Sequence, residues 1–152
     1  MEQTVLTPLQ QQVLTMVNGV PELNAFYLSG GTALAAYYLH HRFSDDLDFF
    51  TPTDPDPLAI ETAVKKIAEA IGATSTRYEK LHDRRMFFFT IGNDELKLEF
   101  TKYPFTQLNP IETIHAARID SLRDVSANKL AALIDRFDPK DFVDLYFILK
   151  QT

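Results

Sequence analysis

Apolar and polar positions alternate with two different periods along this chain, and the switches between them mark its elements. Leu9, Val13, Met16 and Val17 recur at helical spacing behind Thr7-Pro8, a good N-cap followed by a residue suited to the first helical position, so a helix should run to about Val17. The apolar run Ala25-Phe26-Tyr27-Leu28 ends at Gly30-Gly31 and reads as a strand over 25–29, and the Ala-, Leu- and Tyr-rich stretch after it as a helix over 31–40. Alternation returns as a strand over 46–51. Pro52, Pro55 and Pro57 mark a loop, and Pro57 opens a helix that Gly72 would cap. Residues 74–81, 84–91 and 94–103 form an antiparallel meander turned at His82-Asp83 and Gly92-Asn93. Asn109-Pro110 opens a short segment leading to Ile119, and two helices, about 123–136 and 139–149, finish the chain. In the first of these, Leu130, Leu133, Ile134 and Phe137 read as a core stripe, leaving Lys129 and Arg136 toward another face. A strand-helix-strand opening, a meander and flanking helices predict an α/β (α+β) fold, a mixed, partly antiparallel sheet flanked by helices. One domain over 1–152 is expected, with its core at about 25–103 and a helical part at about 120–150.

Chemistry enters where the first strand meets its helix. The N–H groups of Gly31, Thr32 and Ala33 would crown a helix N-terminus, where the macrodipole favours an anion such as phosphate. A Gly-Gly before a helix is more often only a turn. On the next strand Asp46 and Asp48 share one side and Leu47 and Phe49 the other, so two carboxylates roughly 7 Å apart face together, able to grip a hard cation. Aspartate is depleted in strands and two on one face repel, although a wet edge tolerates them. Together and in this order, the two elements point to a metal-nucleotide site. Lys97 and Glu99 also share a strand face, opposite Leu96, Leu98 and Phe100, a pattern that a solvated face produces as well. Lys129 suits a triphosphate partner, and Asp141 and Asp144, on one helix face, could hold Lys129 or complete the nucleotide pocket. Asp138-Pro139 is a good helix start and acids favour a first turn, which explains Asp141 better than Asp144. Arg77, Lys80, Arg84 and Arg85 bracket a hairpin turn, with Lys97 and Lys102 on the next strand; such a cluster could hold an RNA end or a triphosphate tail, but reads more readily as a solubility feature, and His40-His41 as a polar helix end.

Composition narrows the class. The chain has 152 residues, 45% of them hydrophobic and 12 of them Phe, enough for a single buried core. A net charge of -6 argues against a broad nucleic-acid-coating surface. Without cysteine there is no disulfide framework or thiolate metal site, which fits a reducing cytoplasm. The polar start Met1-Glu2-Gln3-Thr4 lacks a signal-peptide pattern, and no segment approaches the ~20 apolar residues of a membrane span, so the chain is expected to be soluble and untargeted.

Leu28-Ser29-Gly30-Gly31-Thr32, followed by Arg42, Ser44 and Asp46-Leu47-Asp48-Phe49-Phe50, resembles the first motif of the nucleotidyltransferase superfamily and, more narrowly, of its AbiEii/AbiGii toxin group. Leu96-Lys97-Leu98-Glu99-Phe100 resembles the group's Lys-x-Asp strand, with Glu for the more usual Asp. Lys129 to Arg136 resembles its Lys-x-x-Ala-x-x-x-Arg helix, and Asp141-Phe142-Val143-Asp144 the helix after it, with Lys140 where Arg is usual. The resemblance implies a minimal, DNA polymerase beta-like nucleotidyltransferase fold and transfer of a nucleoside monophosphate from a triphosphate to an acceptor hydroxyl with Mg²⁺ or Mn²⁺. It implies Asp46, Asp48, Glu99, Lys129 and Asp144 as catalytic, the first three as metal ligands. Ser29, Gly30, Gly31, Thr32, Arg42, Ser44, Lys97 and Asp141 would bind the nucleotide. An RNA, tRNA first, is the implied acceptor, an antitoxin the implied partner and the cytoplasm the implied setting. A small-molecule acceptor such as an antibiotic hydroxyl, and a relative that binds nucleotide or a partner without turnover, are the alternatives. Members of the group are often longer, so a C-terminal extension is expected to be absent.

Overall fold

The computed structural model describes residues 5–136 and 138–151, so the polar stretch Met1 to Thr4 and the expected core residue Phe137 lie outside the described residues. Helix α1 (Pro8–Asn18) opens on a capping box: the Thr7 hydroxyl accepts from the Gln10 backbone N–H, and the Gln10 side-chain oxygen accepts from that of Thr7. The Gln10 amide also donates to the Ser44 carbonyl at 2.6 Å, tying this helix to a loop that matters below. Strand β1 (Tyr27–Ser29) runs into α2 (Gly30–Ala33), which widens into π-helical turns over Leu34–Leu39 and closes at His40 in the left-handed region, φ 51°. Strand β2 (Leu47–Thr51) and helix α3 (Pro57–Ile71) follow, α3 capped by Asp56 and ended by Gly72 at φ 71°. The meander is β3 (Ser75–Leu81), β4 (Arg84–Ile91) and β5 (Asp94–Lys102), as the alternation predicts.

Two strands were not legible in the sequence. The segment before Ile119 holds a hairpin, β6 (Glu112–Ile114) and β7 (Ala117–Ile119), turned at His115 and Ala116 with φ of 49° and 66°. Neither Gly nor Asn marks this turn, and three-residue strands carry too little alternation to reveal themselves. Helices α4 (Leu122–Asp135) and α5 (Pro139–Lys150) end the chain.

Among the described residues the seven strands form one sheet in the order β3-β4-β5-β2-β1-β7-β6, with β2–β5 and β1–β7 parallel and the other neighbours antiparallel. The mixed α/β sheet is therefore as expected. Because side chains alternate across a strand, one face of the sheet is apolar and the other is not. Leu47, Phe49, Leu98 and Phe100 belong to the core cluster that also holds Val13, Val17, Ile60 and Ile67 of α1 and α3. Their in-register neighbours Asp48, Phe50, Glu99 and Thr101 face the opposite way, into a cleft lined also by α4 and α5.

Helix α4 corrects the sequence reading. Leu130 and Ile134 are 56% and 82% exposed, whereas Lys129 is 5% exposed. Val125, Lys129 and Ala132, spaced four and three apart, form the inward face, and the expected stripe is rotated away from it. A lysine turns inward here because two acids of α5 await it.

Candidate active site

The turn at the end of β1 is closed by contacts that leave no room for side chains. Gly30 has φ +71°, and a Cβ built on it would lie 2.6 Å from Asp48 Oδ2; one built on Gly31 would collide with the Arg42 guanidinium. Backbone, carboxylate and guanidinium are thus packed together at one end of the cleft. Behind them the Thr32 hydroxyl donates to the Asp46 carbonyl and lies 2.7 Å from the Ser44 hydroxyl, fixing the loop that delivers Asp46. The Ser29 hydroxyl donates to Asp120 Oδ2 at 2.8 Å. Asp120 follows β7, and its N–H is bonded to the Leu28 carbonyl, so the hidden hairpin supports the turn.

The cleft has a volume of about 370 Å³, within the ~300–1,000 Å³ usual for small-ligand sites. Of the residues singled out from the sequence, Ser29, Gly30, Gly31, Arg42, Ser44, Asp46, Asp48, Lys97, Glu99, Lys129 and Asp141 line it. Thr32 and Asp144 are buried behind its wall.

On the sheet side the carboxylates repel one another. Asp48 pairs in register with Glu99 on the neighbouring parallel strand. Burial pushes the Asp48 carboxyl well above its usual range, and Glu99 and Asp46 add to the shift, while Lys97 opposes it. Asp46 is raised too, chiefly by burial, with Lys97 and Lys140 pulling the other way. Glu99 is 6% exposed, and Arg84 holds its Oε1 at 2.8 Å through Nε and 2.6 Å through Nη2. Carboxylates driven upward by mutual repulsion are the chemistry a divalent cation relieves, and Asp46 and Asp48 fit one. Among the described residues, no three His, Cys, Asp or Glu side chains converge as placed on one metal position.

On the helix side the carboxylates already have cations. Lys129 Nζ lies 2.9 Å from Asp141 Oδ1 and 2.7 Å from Asp144 Oδ2. Arg42 reaches Asp144 through Nε at 2.8 Å and Nη2 at 2.9 Å, and Arg136 reaches Asp141 at 3.0 and 3.3 Å. His41, read above as a polar helix end, is instead buried, with Nε2 2.6 Å from Asp144 Oδ1 and its ring against Phe147. For Asp144 burial alone would raise the pKa, but hydrogen bonds from Arg42, Lys129 and His41 outweigh it and hold the carboxyl far below its usual range. Asp141 is lowered in the same way by Arg136 and Lys129.

Sequence reasoning missed Asp120, Arg84 and His41, whose roles depend on partners 91, 15 and 103 residues away. It also passed over Tyr103 and Asn128, which line the far end of the cleft.

A glycine turn against a half-buried carboxylate, further acids beside it and cations around the rim define a candidate site for a phosphorylated ligand. The protein belongs to the AbiEii family: the model of the family described as nucleotidyl transferase AbiEii toxin, type IV toxin-antitoxin system, matches residues 13–152. An uncharacterised protein of Aquifex aeolicus is 32% identical over 146 residues, which are 93% of this chain and 66% of that relative. The crystal structure of JHP933 from Helicobacter pylori superposes with a TM-score of 0.68 at 26% identity, over 93% of this chain and 63% of the other. The Megavirus polyadenylate synthase shares the fold alone, with a TM-score of 0.56 at 20% identity over 99% of this chain and 32% of its own. The chain thus spans under two thirds of the length of the first relatives it matches. Among the described residues, no helix is long and apolar enough to cross a membrane.

Proposed function

We propose that this protein is a nucleotidyltransferase that moves a nucleoside monophosphate from a nucleoside triphosphate onto a hydroxyl of an RNA, with tRNA the first candidate, as the toxin of a toxin-antitoxin pair. The observation that carries this reading is the packing of the Gly30-Gly31 turn directly against Asp48, with Asp46 and Glu99 beside it in one cleft. Asp46 and Asp48 would hold Mg²⁺ or Mn²⁺. Such an ion, when bound, supplies charge neutralisation for the triphosphate and the leaving pyrophosphate. The chain's own residues do the rest. The Gly30 and Gly31 backbone approaches the phosphates closely because neither residue has a side chain, and Arg42 and Ser44 flank it. The acceptor hydroxyl oxygen attacks the α-phosphorus, the bond to pyrophosphate breaks, and the hydroxyl proton passes to a carboxylate; Glu99 is the candidate. A triphosphate substrate and a chain without cysteine fit work in the cytoplasm.

Labelled triphosphates, incubated one at a time with Mg²⁺ and tRNA, should transfer label, and Asp48→Ala should abolish it. Absence of transfer from all four, with Mg²⁺ or Mn²⁺ and with total RNA, overturns the reading. A second reading, nucleotide binding without turnover, is favoured by one observation: Glu99 Oε1 is already committed to Arg84. It predicts triphosphate binding with no transfer, and Arg84→Ala would then not restore any.

A further inference from the structure

The cleft has two unlike ends, and only one of them suits phosphate. Along β2 and β5, two residues beyond the Asp48–Glu99 pair, Phe50 stands in register with Thr101. That step moves about 7 Å along the strands, the scale separating an α-phosphate from the base of its nucleotide. Over this distance the surroundings become largely apolar, since Arg84, in register with Thr101 on β4, reaches Glu99 with its guanidinium. Phe50 stacks on Tyr103 with ring centroids 4.7 Å apart and planes 18° off parallel, and Val125 and Ala132 of α4 close the opposite side. Two polar groups stand in this apolar recess. The Asn128 carboxamide is fixed by the Tyr103 hydroxyl, which donates to its Oδ1 at 2.8 Å, while its Nδ2 lies 3.5 Å from Asp120 Oδ2. The Thr101 hydroxyl is nine-tenths buried and has no hydrogen-bond partner among the described residues. A buried hydroxyl left unmatched costs free energy unless something that visits the recess satisfies it.

We propose that this recess is the nucleobase subsite and that Asn128, held by Tyr103, is the residue that discriminates among bases. The inference rests on the triphosphate reading above. A nucleotide is itself two-ended, an anionic triphosphate and a flat neutral base, and the cleft repeats that division. The cationic end with Arg42 and Ser44 takes the phosphates, and the aromatic end takes the ring. The flat wall supplies sequence-tolerant packing for any base, while selectivity comes from the carboxamide, because an oriented amide leaves an unsuitable base edge with unpaired polar groups.

The test compares binding of the four nucleoside triphosphates with that of inorganic tripolyphosphate, a base-free probe, by calorimetry in Mg²⁺ buffer. At least one triphosphate should bind about tenfold or more tighter than tripolyphosphate, on the scale of base stacking. Asn128→Leu should bring the four triphosphates close together without changing tripolyphosphate affinity. If Asn128→Leu melts well below the parent, Tyr103→Phe decides, since it keeps the ring and removes only the hydroxyl that holds Asn128; it too should lower discrimination and spare tripolyphosphate. Unchanged discrimination in a folded variant overturns the subsite. Equal binding of triphosphates and tripolyphosphate by the parent overturns it as well, and leaves the triphosphate reading standing. Failure of every probe to bind would remove both.

Discussion

The two walls of the cleft use the same side chain for opposite ends. On the sheet wall, Asp46 and Asp48 are raised above the ordinary carboxylate range, because burial and the charge of neighbouring acids are not fully offset by the lysines nearby. On the helix wall, Asp141 and Asp144 are held below it by Lys129, Arg42, Arg136 and His41. Burial raises all four; what differs is whether the chain brings a cation into hydrogen-bond contact with the carboxylate. Where it does, the acids fasten α5 to α4 and to the segment after α2. Where it does not, the acids stay costly, and that unmet charge is what a ligand can use. Lys129, singled out as a partner for triphosphate, belongs to the first kind: its ammonium sits between two aspartates.

The contrast predicts opposite consequences for removing an acid from each wall. Asp144→Ala leaves Arg42 and His41 without their carboxylate and Lys129 with Asp141 alone, and should cost about 3–5 kcal/mol of stability by urea denaturation. Asp48→Ala should do the reverse, lowering transfer of label to RNA at least ~100-fold, while the melting temperature stays level or rises because a repelling charge is gone. If Asp48→Ala unfolds the protein and Asp144→Ala does not, the two walls do not differ in this way.

The pH dependence sharpens it. Asp141 and Asp144 are depressed in the folded state, so their contribution to stability is complete above the ordinary value of 3.8 and is lost as pH falls below it. Asp120 behaves oppositely. Burial, only partly offset by the Ser29 hydroxyl, pushes it up to about 6 from 3.8. The folded state therefore keeps a proton that the unfolded chain releases, and this acid lowers stability as pH rises from about 4 to 6. Denaturation of Asp120→Asn at pH 2, 3, 4, 5 and 7 should remove that decline while leaving the loss below 3.8 in place. The smallest effect belongs to the outer face of α4: Ile134→Ser should change stability by no more than about 0.5 kcal/mol, where the expected core stripe would require several times that.

Much of the frame was legible because it depends on near neighbours. The Thr7 cap, the Gly72 stop, the meander and the shared face of Asp46 and Asp48 all follow from spacing along the chain. The β6–β7 hairpin was not legible, since its turn is made by His115 and Ala116, residues that ordinarily avoid such a backbone. The phase of α4 was misread for a different reason. Leu130 and Ile134 are better core residues than Lys129 by every local rule, yet a buried pair of aspartates on α5 outweighs those rules.

The Gly30-Gly31 turn and the Asp-x-Asp alternation are the sequence's own work: a missing side chain and a two-residue period hold in any surroundings. Which carboxylates would be paired and which left repelling was decided only by the tertiary structure. It brings Arg42 to Asp144 across 102 residues and Arg84 to Glu99 across 15, and it sets Asp48 in register with Glu99. The free energy of a charge is set by what surrounds it, and those surroundings do not exist until the chain is folded.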